Sequence, residues 1–268
     1  MSTTSIHSTA IIEDGAELGN DVSVGPYALI ENGSVLGCGS TVHSHAVVKK
    51  HTVLGRNVEV GHFAVIGGDP QHLSFDRSTL SSVCVGESTR IGEGVTIHRS
   101  IEKDGVTKVG NNCFLMGYSH IAHDCVIEDQ VILANGVLLG GHVEVGRYSF
   151  LGGGAAVHQF VRIGDGCMIG GLAEISLDIP PQVLVAGRNQ ISGLNLIGLR
   201  RRKVSSVEIA ELKQCLHLVL SQGNPAKNAS ELLGKHAEIK SNVATSFLKF
   251  FLDGNRGFAR KFKKETHA

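Results

Sequence analysis

An aliphatic residue recurs every six positions along this chain. Ile6, Ile12, Leu18, Val24, Ile30, Leu36, Val42, Val48, Leu54, Val60 and Ile66 keep one phase without a break. The residues between them are mostly polar, and glycine often follows the aliphatic, as at Gly19, Gly25, Gly37, Gly55, Gly61 and Gly67. A period of six matches neither the amphipathic helix nor the simple alternating strand. It is the signature of a parallel β-helix built from hexapeptides. Each hexad is one short strand and one turn, with the aliphatic side chain pointing inward. No hexad buries that side chain alone, so the coils must stack. Three hexads close a triangular coil, and residues eighteen apart then share a column with ~4.8 Å between neighbours.

The metre lapses twice. It fails after Ile66, over 68–84, and resumes at Val85, nineteen residues on, with Ile91 and Ile97. A second excursion runs over 99–108, and the metre then holds from Val109 to Ile175. Loops that leave a rigid scaffold are where sites tend to be built. The repeat is expected to stop at Asp178-Ile-Pro-Pro181, because two prolines cannot extend the middle of a sheet. Beyond Gly187 the pattern becomes helical. Ser205 to Glu208 is a capping box, and Val207, Ala210, Leu212, Leu216, Val219 and Leu220 form a stripe at helical spacing. Two further helices are expected, one at Ser230-Glu-Leu-Leu and one from Ser241 to Leu252, before a basic tail of Arg256, Arg260, Lys261, Lys263 and Lys264. The chain therefore reads as mainly β: a β-helix over 1–187 and a C-terminal α-helical domain over 188–268.

Composition narrows the picture. Only 5% of the residues are aromatic, against 42% hydrophobic overall, which suits a narrow interior of Val, Ile, Leu and Ala. Lys plus Arg and Asp plus Glu are 25 each, so no global field argues for nucleic acid. No apolar run has transmembrane length, and the first residues do not read as a secretory signal. The six cysteines, Cys38, Cys84, Cys113, Cys125, Cys167 and Cys215, contain no CxxC pair and read as core or corner residues of a cytoplasmic protein.

The candidate chemistry lies in Leu115 to Phe160. This stretch carries His120, His123, His142 and His158, four of the fourteen histidines. In eighteen-residue columns His123, Gly141 and Gln159 stand one above another, so an imidazole, a glycine amide and a carboxamide share one edge within ~10 Å. His7, His43, His45, His51, His217, His236 and His267 read as solvated, and His62 and His98 as structural. The run Arg200 to Lys203 sits at the junction of solenoid and helices, where it can attract an acidic partner or simply face solvent.

Four motifs, HIAHDC at 120–125, GGHVEVG at 140–146, AAVHQFVRIG at 155–164 and DIPPQV at 178–183, resemble the UDP-N-acetylglucosamine O-acyltransferases of lipid A biosynthesis. The TIHR and TKVG stretches and the helical tail extend the likeness over nearly the whole chain. The resemblance implies a left-handed β-helix, a homotrimer with sites between subunits, and transfer of a 3-hydroxyacyl chain from acyl carrier protein to the sugar, with no cofactor. It implies that His123 is the general base, Asp124 its paired carboxylate and Gly141 the source of the oxyanion amide. His120, His142, His158 and Gln159 match substrate-binding positions. Asn195, Arg201 and Arg202 match a nucleotide- and carrier-facing cluster, and Gly171 matches the position that measures the acyl chain. The chain departs from the family at Gln71-His72-Leu73-Ser74, where Gln-Asp-Leu-Lys is usual, and at Ile197, where Glu is common. Gln71 and His72 remain candidates for substrate contact, and the acceptor can be UDP-N-acetylglucosamine or a 3-amino variant.

Other functions fit parts of the pattern. His120, His123 and His142 on neighbouring coils suggest a zinc enzyme of the γ-carbonic-anhydrase type. A non-enzymatic solenoid would present regular Thr arrays, which are absent. The N-acyltransferase that follows in lipid A synthesis typically carries a domain before its repeats, and here the repeats begin at Ile6.

Overall fold

The computed structural model describes residues 4–221, 223–234 and 239–261. Lys263 and Lys264 of the basic tail, and His236 and His267, lie outside the described residues. Short strands recur at the spacing of the metre, from Ser5–Ile6 to Glu174–Ile175, and stack in parallel into three sheets of a β-helix, the first starting at Ser5–Ile6, the second at Ile11–Ile12 and the third at Glu17–Leu18. Registers follow the columns: Ile121 pairs with Leu139, and Leu139 with Val157. The aliphatic positions from Val24 onward are buried, whereas Ile6 on the first coil is 46% exposed. A stack of coils has an open end, and the first hexads have no neighbour on that side.

The hexad has a second inward position two residues before the aliphatic, filled by small side chains such as Val22, Ala28, Ser40, Ala46, Cys113, Cys125 and Cys167. The hydroxyls and thiols there donate to backbone carbonyls at the corners: Ser40 Oγ to Gly55 O at 3.0 Å, and Cys125 Sγ to Gly140 O at 3.1 Å. Three scattered cysteines thus occupy one structural position, and all six are free. The residue before the small one takes a left-handed backbone at most corners, with φ 61° at Asp124 and 58° at His142. Asp and Asn accept that conformation more readily than most residues.

Both excursions leave from the same corner, between the second and third sheets. Val85 pairs with Leu54, thirty-one residues earlier, so the first excursion adds thirteen residues to a coil of eighteen. Val85 therefore does not stack on Ile66 one coil later but lies on the next sheet. Val109 pairs with Val85, twenty-four residues earlier, so the second excursion adds one whole hexad.

The prolines do not end the prism. Ile179 bridges Ile163, and Val185 pairs with Ile169, each sixteen residues later, so a shortened last coil continues past Pro180 and Pro181. Val183–Ala186 then turns back antiparallel to Gln190–Leu194, a strand inside the span expected to be helical. Four α-helices follow among the described residues: α1 Leu196–Arg201, α2 Ser206–Ser221, α3 Pro225–Gly234 and α4 Asn242–Lys249. The capping box forms, with Ser205 N donating to Glu208 Oε2 at 3.0 Å and Glu208 N to Ser205 Oγ at 3.3 Å. The expected stripe of α2 is partly wrong. Leu212, Cys215, Leu216 and Val219 face inward, while Val207 is 77% exposed and Ala210 also faces out. At 100° per residue Val207 and Ala210 lie on the far side of α2 from that buried face, whereas Ile209 in the same first turn packs against the core. No helix among the described residues is long and apolar enough to cross a membrane.

Candidate active site

The corner between the second and third sheets carries the chemistry. Its column runs from His123 through Gly141 to Gln159, as His142 N donates to His123 O at 3.0 Å and Phe160 N to Gly141 O at 3.0 Å. The His123 side chain is only 12% exposed, and its Nδ1 donates to Asp124 Oδ2 at 2.8 Å. That bond leaves Nε2 as the free nitrogen. Burial alone would raise the Asp124 carboxyl. Hydrogen bonds from Ser100, His123 and the Ile101 amide, with the nearby His142, outweigh it and hold the group below its ordinary value. Asp124 is thus a carboxylate at neutral pH, able to orient the imidazole and to stabilise its protonated form.

Gly141 lies flat against the Cε1–Nε2 edge of this ring. A Cβ there would stand 2.5 Å from Cε1 and 2.7 Å from Nε2, so only glycine leaves the base in place. The Gly141 N–H has no hydrogen-bond partner among the described residues. A free donor beside a general base is what a developing oxyanion needs.

Other imidazoles crowd the corner. The His142 ring meets His123 edge-on at 5.2 Å, stacks on Phe160 at 4.6 Å, and its Nε2 is 3.8 Å from Asp124 Oδ2. His120 Nδ1 is 2.7 Å from Thr96 Oγ1, and burial, then the nearby His123, lower its pKa. His98, behind it, is lowered to about 4, chiefly by burial. His72, on the first excursion, meets the His123 ring edge-on at 6.1 Å. The residue that departs from the family pattern therefore sits over the candidate base.

The other candidates stand apart from this group within one chain. His158 and Gln159 are exposed two coils along, where Arg256 of the tail donates to His158 Nδ1 at 3.1 Å. Gly171 lies on the opposite edge of the second sheet, stacked on Gly153. Asn195, Arg201 and Arg202 line a groove of about 490 Å³ with Tyr148, Phe150, Met168 and Ile197, on the outer face of the first sheet. There Asn195 is the N-cap of α1: its Oδ1 accepts from Gly198 N at 3.0 Å and its Nδ2 donates to Gly166 O at 2.9 Å. Arg202 donates to Gln182 and covers the Tyr148 ring. Gln71 is exposed.

The donor atoms nearest to a metal-like arrangement are those of His123, Asp124 and His142, all within 4.8 Å of one another. His120 is not among them, and the Asp124 oxygen is already taken by the His123 N–H, so the expected three-histidine zinc set does not form. Cys125, two residues from the base, is fully buried with its thiol pushed up to about 12, which removes it as a nucleophile.

Reading from sequence alone missed Ser100, Ile101 and Thr107. Ser100 Oγ donates to Asp124 Oδ1, Ile101 N to Oδ2 at 3.2 Å, and Asp124 N to Thr107 Oγ1 at 2.7 Å. Ser100 and Ile101 come from the second excursion, and Thr107 from the strand Val106–Val109 that closes it. The only signal was the position of that excursion, shortly before HIAHDC.

Stacked hexads bearing a His–Asp pair beside an open glycine amide define a hexapeptide-repeat transferase, and a family model described as "Bacterial transferase hexapeptide (six repeats)" matches residues 107–141. A second model, "Udp N-acetylglucosamine O-acyltransferase; Domain 2", matches residues 178–259. The chain is 41% identical to the acyl-(acyl-carrier-protein)–UDP-N-acetylglucosamine O-acyltransferase of Campylobacter concisus, over 94% of this chain and 96% of that one. The solved UDP-N-acetylglucosamine acyltransferase of Campylobacter jejuni superposes with TM-score 0.89 at 36% identity, covering 96% of this chain and 100% of that one. The Francisella novicida enzyme gives 0.91 at 32% identity, with 98% of each chain covered. This chain belongs to the UDP-N-acetylglucosamine O-acyltransferase family. Nothing in these relatives supports the carbonic-anhydrase alternative.

Proposed function

We propose that this enzyme moves a 3-hydroxyacyl chain from acyl carrier protein to the 3-hydroxyl of UDP-N-acetylglucosamine, with His123 as general base. The observation that carries the reading is the Asp124–His123–Gly141 arrangement. Nε2 takes the proton of the sugar hydroxyl as its oxygen attacks the thioester carbonyl. The Gly141 N–H receives the negative charge on the carbonyl oxygen. Collapse of the tetrahedral intermediate expels the carrier thiolate, and the imidazolium returns the proton to it. Asp124 stabilises the imidazolium without itself becoming protonated. No acyl-enzyme is required. His120, His142, His158, Gln159, Gln71 and His72 line the path of the acceptor sugar and the donor carbonyl. Asn195, Arg201 and Arg202 serve the nucleotide and carrier from the groove on the first sheet.

In one chain these two groups lie on different sides of the prism, which supports a homotrimer with sites completed by a neighbouring copy. The six free cysteines suit a cytoplasmic protein, and the chain divides at 187/188 into a catalytic solenoid and a carrier-facing unit that opens with the strand Gln190–Leu194 on the solenoid's first sheet and continues in the helices. The His123→Ala variant should lose ~10²–10⁴-fold in turnover while keeping its assembly state. Near-native turnover would remove His123 as the base. Mass spectrometry of products from UDP-N-acetylglucosamine and its 3-amino analogue reads the acceptor directly, because ester and amide products differ in mass.

A further inference from the structure

We propose that Ser100 is a positioning residue for the transfer, holding the Asp124 carboxylate so that His123 presents Nε2 as the base. The inference rests on the assignment of His123 above. Ser100 is fully buried. Its hydroxyl proton goes to Asp124 Oδ1, and its oxygen accepts from Glu102 N at 2.9 Å. With the Ile101 amide on Oδ2 and the His123 N–H beside it, both oxygens of Asp124 are engaged and the carboxylate cannot rotate. The opposite assignment, a Ser100 that merely folds the excursion, would not need the hydroxyl aimed at a catalytic carboxylate.

Ser100 is itself fixed from behind. Its carbonyl accepts from Ser81 Oγ at 2.6 Å, and that hydroxyl accepts from Arg99 Nη1 at 3.1 Å. Arg99 is buried, and its Nε pairs with Asp69 at 3.0 Å while its Nη2 donates to Arg77 O at 3.0 Å. The two excursions are thereby tied into one polar unit that ends on Asp124. Gly105 closes the turn above Ser100, where a Cβ would stand 2.1 Å from the hydroxyl oxygen. The rigidity needed for positioning is therefore built into the surroundings of Ser100.

Removing the hydroxyl leaves Asp124 Oδ1 buried without a donor. The carboxyl becomes more basic, favours the protonated imidazole, and loses one of the bonds that fix its plane. The first effect moves the acidic limb of the pH–rate profile to higher pH, and the second lowers kcat by letting the base drift from its alignment. The titratable groups facing the dyad are His142, His72, His120 and His98, with Asp69 behind His98. None of them hydrogen-bonds Ser100, so the substitution leaves their environments in place.

The test is the pH dependence of kcat/KM for acyl transfer by the full-length protein and its Ser100→Ala and Ser100→Cys variants, with thermal unfolding in parallel. For Ser100→Ala we expect kcat to fall ~10-fold or more, KM for both substrates to stay within ~2-fold, and the acidic midpoint to rise by ~0.5 unit or more. Ser100→Cys, nearly the same shape with a weaker donor, should fall between the two. If the alanine variant does not fold, the cysteine variant is judged by the same criteria. A folded variant with an unmoved acidic midpoint, or with wild-type kcat, overturns the proposal. If the acidic limb is absent from the wild type, or survives in His123→Ala, the assignment of the base fails first and takes this inference with it. A limb that His123→Ala abolishes and Ser100→Ala leaves alone refutes only the role of Ser100.

Discussion

Gly141→Ala adds a single methyl group, and the structure says where it goes. The backbone torsion of Gly141 lies outside the left-handed region, so alanine is conformationally allowed and the effect is one of contact alone. The new Cβ would stand 2.5 Å from Cε1 and 2.7 Å from Nε2 of His123, whereas ordinary contact begins at 3.4 Å. The ring must therefore retreat by roughly 0.9 Å, the shortfall at Cε1. It cannot do so freely, because Nδ1 is tethered to Asp124 at 2.8 Å. A base misplaced by about 1 Å costs on the order of 10²-fold in rate. The Gly141 N–H survives the change, so the oxyanion donor is retained and the loss reports the position of the base. Initial rates at saturating donor and acceptor should show kcat reduced ~10²-fold, with KM shifted far less. The thermal transition should move by only a few degrees, because the overpacked site opens to solvent on one side. A folded variant whose kcat stays within about threefold of wild type would show that the imidazole is not held where this corner puts it.

The remaining predictions concern the chain's length selectivity, its carrier and its acid stability. Gly171→Met should shift donor preference from about fourteen carbons, as the family resemblance implies, toward a chain several carbons shorter, since each buried methylene is worth ~0.8 kcal/mol; unchanged preference in a competition assay would refute the ruler. Replacing the exposed Arg200 and Lys203 by glutamine should raise the apparent KM for acyl carrier protein and flatten its dependence on salt, measured by initial rates across ionic strength. His98 is held at about 4 by burial, against about 6.5 unfolded, so the unfolded chain binds a proton that the folded one refuses. Its contribution to stability is intact above pH 6.5 and drains as pH falls toward 4, by up to ~3 kcal/mol. Denaturant titrations over that window should be less steep in pH for His98→Gln, and an identical slope would contradict the burial argument.

The solenoid was legible because a six-residue period has one physical solution. Each inward aliphatic from Val24 onward lies where the metre puts it, and the column of His123, Gly141 and Gln159 followed from counting alone. The end of the repeat was misjudged because Pro180 and Pro181 were read as breakers of a central strand. In fact they sit in a corner of the last coil, where no ladder partner is asked of them. The stripe of α2 failed at Val207 and Ala210 because at 100° per residue these two do not share the face of Leu212, Leu216 and Val219. The support of Asp124 was invisible for a related reason. Ser100 and Ile101 lie in a stretch with no periodicity, with Thr107 on the strand that closes it, and only the shared corner of the two excursions brings them back to the dyad. Gly153 and Gly171 illustrate the limit of composition. Paired with Gly152 and Gly170, they look like turn residues. A Cβ at Gly152 would meet Gly171 N at 2.5 Å, whereas at Gly153 or Gly171 it would meet nothing closer than 3.4 Å. Packing demands the first of the pair and leaves the second to another purpose.

The second excursion adds one whole hexad at a corner, and every column beyond it stays aligned. The first adds thirteen residues at the same corner with the same result. The prism therefore behaves like a reading frame. Residues inserted at a corner are spliced out of the lattice as a loop, whatever their number. A single deletion within one hexad has no such outlet. Placed between His123 and Gly141, it would shift the side chains that follow against the coil below, turning inward positions outward and moving His123 out of line with Gly141. Variation in length is thus cheap at the one edge where substrates are met and ruinous along the sheets. A scaffold with that property can exchange the walls of its site while the base, its carboxylate and the amide beside it keep their spacing.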